Sequence, residues 1–330
     1  MRSSARHPRL SVCMIVRNEA AVLGRCLDSL DGIYDELCIV DTGSHDATPA
    51  IARQYGAQLQ SLDSCNGPDG KILDFAAARN AALALAGGDW ILQIDADEVL
   101  CSGHARILRH VRANKVDQVG VLMQSNGARW SSGRLFRRLE GAYYRSRVHE
   151  YLVHSGSFVK DNSILIDNRQ QKQGKESSAE RNIRLLHLAT RDEPDEARNF
   201  HYLGNEYREA HRFDEAIACY DTALSKNNYQ VARFHTAYYL AVCHLLKANW
   251  PRALDAAFQA LQIDPRYAEA HCLLGDIYSR TGQNDFARQW YLSALSVKRP
   301  PPDAVMCIQG WAYSEHPRQR LVALSTAARP

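Results

Sequence analysis

No Cys-x-x-Cys pair occurs in the chain, and its nine cysteines (13, 26, 38, 65, 101, 219, 243, 272 and 307) are scattered. A zinc finger or a disulfide framework is therefore unsupported, and a reducing cytosol is the simpler setting. Also missing is any apolar stretch long enough to span a bilayer. Met1 to Arg9 is basic but leads into only the seven-residue apolar-rich run Leu10 to Val16, so no signal peptide is expected. Charge of one sign is scarce too: the net value is +3, which by itself argues for no nucleic-acid partner. After the first apolar run there is no Gly-x-Gly-x-x-Gly, the signature a dinucleotide-binding turn requires. What remains is 330 residues, 45% apolar and 23% charged, enough for two soluble domains with a core each.

The stretch from Asp89 to Glu98 organises the first half. Its Trp-Ile-Leu-Gln-Ile run, bounded by Gly87-Gly88, reads as a buried strand ending in Asp95-Ala96-Asp97-Glu98. Asp95 and Asp97, two residues apart, can reach one cation where the strand gives way to a turn. Magnesium and manganese prefer such oxygen ligands and complete their shells with substrate phosphate and water. An isolated Asp-x-Asp is more often a solvated turn, so its surroundings decide.

Those surroundings alternate strand and helix. Leu10 to Val16 reads as a strand followed by Arg17-Asn18-Glu19 and a helix to about Leu30; Glu36 to Val40 reads as a second strand. Asp41 to Pro49 is a turn into a helix, which Asp46 or Thr48 caps. Ala57 to Leu62 forms a third strand, and Asp74 opens an alanine-rich helix that carries Arg79. Ser102 to Val116 reads as a helix, Gln118 to Gln124 as a strand. The pattern predicts a mostly parallel α/β sheet, with polar side chains at strand ends where such sheets bind ligands. Arg134-Leu-Phe-Arg-Arg138 and Tyr143 to Glu150 interleave basic and aromatic residues. They form one positive wall beside the metal site, in preference to a nucleic-acid surface.

Val16-Arg-Asn-Glu19, Val40-Asp-Thr-Gly-Ser44, Phe75-Ala-Ala-Ala-Arg79-Asn80 and Trp90 to Glu98 stand in an order and spacing that resembles family 2 glycosyltransferases over about the first 150 residues. The resemblance implies a GT-A fold with a Rossmann-like, mostly parallel sheet, a nucleotide-sugar donor (commonly a uridine diphosphate sugar), a divalent metal and inversion at the anomeric carbon. It implies that Asp41 and Asp74 contact the nucleoside with Arg79 close by, that Glu19 borders the nucleotide pocket, and that Asp95 and Asp97 serve ribose, diphosphate and metal. Arg-Leu-Phe-Arg followed by Val-His-Glu150 is similar to bacterial lipopolysaccharide-core glucosyltransferases and peptide S-glycosyltransferases. An inverting transfer needs a base; Glu150 is the first candidate, His149 the alternative as base or metal ligand, and pairing of Glu150 with Arg145 or Arg147 the competing role. Relatives often carry a histidine after a strand like Ser163 to Ile166. Here Asp167-Asn168 stands in that place, with Asp167 the replacement oxygen ligand.

Asn168 to Ser178 is polar and without apolar period, a linker and, by the same resemblance, a lid over the donor. Beyond it the pattern is helical. Leu203-Gly204, Tyr207, Ala216, Tyr220 and Ala223 recur as Leu240-Ala241, His244, Ala253, Ala257 and Ala260, and again as Leu274-Gly275, Tyr278, Ala287, Tyr291 and Ala294. The spacing of 34 residues resembles tetratricopeptide repeats, with three extra residues between the first two copies. The expected domains are 1–168 (GT-A), 169–196 (linker, lid and leading helix) and 197–330 (an all-α repeat solenoid with a partial terminal repeat). Histidines 201, 211, 235, 244 and 271 lack metal-ligand spacing and read as packing or surface residues.

The leading reading is thus a cytoplasmic or inner-membrane-peripheral glycosyltransferase acting on a saccharide, lipid-linked or polypeptide acceptor. Its repeats bind the acceptor, a protein partner or a second copy. Its rivals are a repeat scaffold with a decayed transferase domain, and a nucleotidyltransferase, which would want a glycine-rich basic loop where Arg17-Asn-Glu19 stands.

Overall fold

The structure is a computed structural model that describes residues 7–169, 176–226, 228–302, 304 and 308–327. The basic amino terminus, the middle of the linker and lid (170–175) and parts of the terminal repeat lie outside the described residues. The chain divides into two units, Met1–Lys175 and Glu176–Pro330.

In the first unit the predicted strand–helix alternation holds: β1 (Leu10–Val16), α1 (Leu23–Asp28), β2 (Glu36–Asp41), α2 (Thr48–Gln54), β3 (Gln58–Ser61), α3 (Phe75–Leu85), β4 (Trp90–Gln93), β5 (Glu98–Ser102), α4 (His104–Ala113), β6 (Gln118–Ser125), β7 (Ala128–Arg137), β8 (Tyr143–Arg145), β9 (Tyr151–Val153) and β10 (Phe158–Asn168). Eight strands join in the order β3-β2-β1-β4-β7-β6-β10-β5, and β8 pairs with β9 apart from them. The chain leaves β1 toward β2 and β3, then returns to its other side at β4. That reversal opens a crevice at the carboxyl ends of β1 and β4.

The expected parallel pairing holds from β3 through β2 and β1 to β4 and again between β6 and β10, but the sheet as a whole is mixed. β7 runs antiparallel to both β4 and β6, and β5 antiparallel to β10. The Arg-Leu-Phe-Arg run, taken as a basic wall, is in fact the end of a central strand, with Leu135 and Phe136 fully buried. Local period shows a strand but not its direction, which the connections decide. Asp95 and Asp97 also lie past the strand, because β4 ends at Gln93. α1 begins at Leu23, later than expected, since the Glu19 carbonyl closes a tight turn with the Val22 and Leu23 amides.

Asp161 fixes α4 to the sheet. Buried in β10, it accepts from Arg106 Nε at 2.9 Å and Ser163 Oγ at 2.5 Å, and lies 2.8 Å from His110 Nε2. Burial acts to raise its pKa, but these partners win and hold the carboxyl well below its ordinary value. A depressed carboxylate contributes stability that is present above about pH 4 and fades as pH falls toward the folded-state value. Asp161→Asn is therefore expected to cost about 3 kcal/mol at pH 7. The gap to wild type should shrink at pH 2.5, measured by urea unfolding at both pH values.

The second unit is helical throughout its described residues: α5 (Ser178–Asp192), α6 (Ala197–Glu209), α7 (Phe213–Lys226), α8 (Arg233–Leu246), α9 (Trp250–Ile263), α10 (Ala268–Arg280), α11 (Asn284–Ser296) and α12 (Glu315–Ala327). α6/α7, α8/α9 and α10/α11 are the three expected hairpins. The three extra residues fall between α7 and α8, where a 3-10 turn spans Gln230–Ala232. Small residues set the close approach: a Cβ on Gly204 would lie 2.6 Å from Tyr220, and one on Gly275 2.5 Å from Tyr291. His201, His235 and His271 are buried in the packing, as expected.

Candidate functional site

The site grows from the turn after β4. Gln93 is a polar residue at the end of an otherwise apolar strand, and its side-chain nitrogen donates to Asp95 Oδ1 at 3.1 Å. The Asp95 amide donates to Glu98 Oε2 at 2.8 Å, closing the turn. Glu98, at 1% exposure, is sealed beneath.

Two guanidinium groups neutralise this turn. Arg79, projected from α3, places Nη1 3.0 Å from Asp95 Oδ1 and donates from Nε to Glu150 Oε1 at 2.6 Å. Arg134, from β7, contacts Glu98 Oε1 at 2.6 Å, Gln93 Oε1 at 2.5 Å and Asp95 Oδ2 at 3.5 Å. Both Asp95 oxygens thus face arginine. Burial alone would raise the Asp95 carboxyl, but Arg79 and Arg134 hold it down at about 2. Glu98 goes the other way: burial pushes it up to about 7, helped by Asp95 and Asp97 and opposed by Arg134. Four acids, Asp95, Asp97, Glu98 and Glu150, therefore gather about two arginines, and the most deeply buried of them, Glu98, holds its proton most tightly.

A second group of predicted residues ties the loops after β1 and β2. Asn18, in the left-handed region at φ 52°, receives the His45 amide on its side-chain oxygen at 2.8 Å. Its own amide donates to Ser44 Oγ at 2.9 Å, and Ser44 Oγ donates to Asp41 Oδ1 at 2.6 Å. The Glu19 amide bonds Thr48 Oγ1 at 2.7 Å, and Arg17 reaches the Gly70 carbonyl. Asp41 is the last residue of β2, and Asp74 is the N-cap of α3, accepting the Ala77 amide at 2.9 Å. Both carboxylates have local structural work that sequence alone also allows.

The end of β10 comes to the same turn. Asn168 lies opposite Glu98, and the Arg169 amide donates to the Asp97 carbonyl at 2.9 Å. Asp167, however, pairs with Arg169 Nε at 2.8 Å. Among the described residues no three His, Cys, Asp or Glu side chains are arranged to hold a metal by themselves. Glu150 pairs with Arg79, not with either neighbouring arginine considered for it. Nothing local in the sequence assigns a role to Glu98 or Gln93, and Arg134 stands there only as part of a positive wall. Gln93 carried a signal, since a polar residue at the end of a buried apolar run demands a partner.

Residues 11–152 match the family described as Glycosyl transferase family 2, and residues 268–300 match the tetratricopeptide repeat. The first part of the chain therefore matches a family 2 glycosyltransferase domain. A TPR repeat-containing protein of Synechococcus elongatus is 53% identical over 92 residues, 28% of this chain and 21% of that protein. The SPbeta prophage-derived glycosyltransferase SunS of Bacillus subtilis is 25% identical, covering 68% of this chain and 54% of SunS. The lipopolysaccharide core biosynthesis glycosyltransferase LpsC of Rhizobium meliloti is 28% identical, covering 51% of this chain and 69% of LpsC. The chain thus spans about a fifth to about half of the length of the first two. The glycosyltransferase domain contains the whole Asp95 cluster, and no helix among the described residues is long and apolar enough to cross a membrane.

Proposed function

We propose that the chain is an inverting glycosyltransferase that uses a nucleotide-sugar donor, a uridine diphosphate sugar, and a divalent metal. The acid-rich turn after β4 carries this reading. A donor diphosphate brought beside four carboxylates and two arginines would be repelled by the surplus charge unless a divalent cation accompanied it. Asp97 fits that cation as its protein carboxylate, because magnesium or manganese needs only one or two beside substrate phosphate and water. When bound, such an ion would neutralise charge on the departing diphosphate.

The protein's own groups do the rest. The loops carrying Glu19 and Asp41 border the nucleoside, with Asp74 beside them. In the transfer an acceptor oxygen or sulfur forms a bond to the anomeric carbon as the bond to the diphosphate breaks. The nucleoside diphosphate leaves with that electron pair, and the acceptor proton passes to His149 as base, because Glu150 is engaged by Arg79. The names of LpsC and SunS support the sugar-transfer class, and LpsC favours a saccharide acceptor. The repeats are proposed to bind the acceptor or a protein partner.

A panel of nucleotide sugars titrated calorimetrically with and without manganese tests this. One uridine diphosphate sugar is expected to bind only with metal, and Asp97→Ala to weaken it at least tenfold. Folded protein that binds no donor in either condition would end the enzyme reading in favour of a repeat scaffold.

A further inference from the structure

One arginine joins two carboxylates from separate parts of the chain. Arg79 is 10% exposed and Glu150 14%, and the guanidinium also lies over the Tyr144 ring, 6.0 Å from its centroid. The segment leading to Glu150 is stapled to the helix that carries Arg79. Asn80 exchanges hydrogen bonds with the Tyr144 backbone at 2.7 and 2.8 Å; the Phe75 amide donates to the Arg147 carbonyl at 2.9 Å, and Arg147 Nη1 to the Leu73 carbonyl at 3.0 Å.

Resting on the glycosyltransferase reading, we infer that Glu150 is a positioning residue that acts through Arg79. It fixes the guanidinium against Asp95 and thereby sets the turn carrying Asp97. An arginine side chain has four flexible bonds, and with a carboxylate on one side only it would sample several rotamers. A carboxylate on each side fixes the plane of the fork. A general base must offer its oxygen to the acceptor proton, whereas Glu150 Oε1 is engaged with Nε at 2.6 Å on a stapled segment. The same bridge explains why Asp95 directs both oxygens at arginine instead of outward: its work is to order the turn, and the donor is met by the residue two positions on.

The test is a double-mutant cycle of Glu150→Gln and Arg79→Lys, read by calorimetric donor titration and by thermal unfolding. Glu150→Gln preserves shape but weakens the charge-assisted bond. It should weaken metal-dependent donor binding about tenfold, although Glu150 touches no donor, and adding it to Arg79→Lys should cost less than a further twofold. Donor binding unchanged in Glu150→Gln, with transfer or donor hydrolysis abolished, would overturn the inference and make Glu150 the base. Losses in melting temperature should be smaller together than their sum, and strict additivity would overturn the bridge. This second readout needs no donor, so a wild type that binds none would sink the glycosyltransferase reading while the unfolding cycle alone decides the bridge.

Discussion

Replacing Arg134 by methionine is expected to lower stability by about 3–5 kcal/mol at pH 8, because it leaves a deeply buried acid without its cation. Arg134 spans Gln93, Asp95 and Glu98, so one substitution unpairs the whole floor of the turn. The pH dependence follows from Glu98. Its carboxyl already sits near 7 in the presence of Arg134, and removal of that cation, which pulls it down, must raise it further. A raised carboxyl pKa means that the folded state binds the proton more tightly than the unfolded chain. Its stability therefore falls as pH rises from the ordinary carboxylate range through the folded value. Arg134→Met should accordingly be closest to wild type near pH 5 and worst above pH 8. Adding Glu98→Gln should recover about half of the loss at pH 8, since the neutral amide removes the buried charge. Urea unfolding of the three proteins across that range checks it. A deficit that is constant with pH, or no rescue, would mean that Arg134 matters through packing alone.

The second large effect is expected at Gly103, where β5 passes into α4. Its φ is +98°, and a Cβ there would lie 2.6 Å from the Ile164 Cα, a backbone atom of β10. β10 is paired on both sides, to β5 and β6, so it has little freedom to retreat. Gly103→Ala should cost about 3 kcal/mol or more, combining left-handed strain with a backbone clash. Gly127, at φ +83° in the β6–β7 turn, has nothing within 4 Å of the corresponding position. Gly127→Ala therefore carries the strain alone, about 1–2 kcal/mol. The difference between the two melting temperatures isolates the clash, and equal losses would refute it. Gly103→Ala should move the same unfolding transition as Arg134→Met, because both lie in the first unit.

The local pattern made much of the chain legible. β1 begins and ends where its apolar run does, α3 starts after the aspartate that caps it, and the repeat pairs Gly204/Tyr220 and Gly275/Tyr291 pack as their recurrence implied. Each depends on short-range physics: period, capping, or the fixed offset between two helices of a hairpin. The site was legible at Asp95, Asp97, Arg79 and Glu150 as members of ordered motifs, yet not as partners.

Pairing was decided by the tertiary structure. The insertion of β7 beside β4 made the sheet mixed and delivered Arg134 to Glu98, and no property of either residue's neighbours in sequence specifies that meeting. Glu150 had arginines three and five positions away in sequence but took Arg79, because a helix carries that side chain into the crevice. Asp167 arrived on a strand beside the turn and still gave its carboxylate to Arg169. The sequence by itself determined which elements form and where acids and arginines stand along them, since those depend on neighbours a few residues away. Which acid meets which arginine, and at what depth, belongs to strand order and burial. Coulombic pairing depends on distance and desolvation, and only the folded chain sets either.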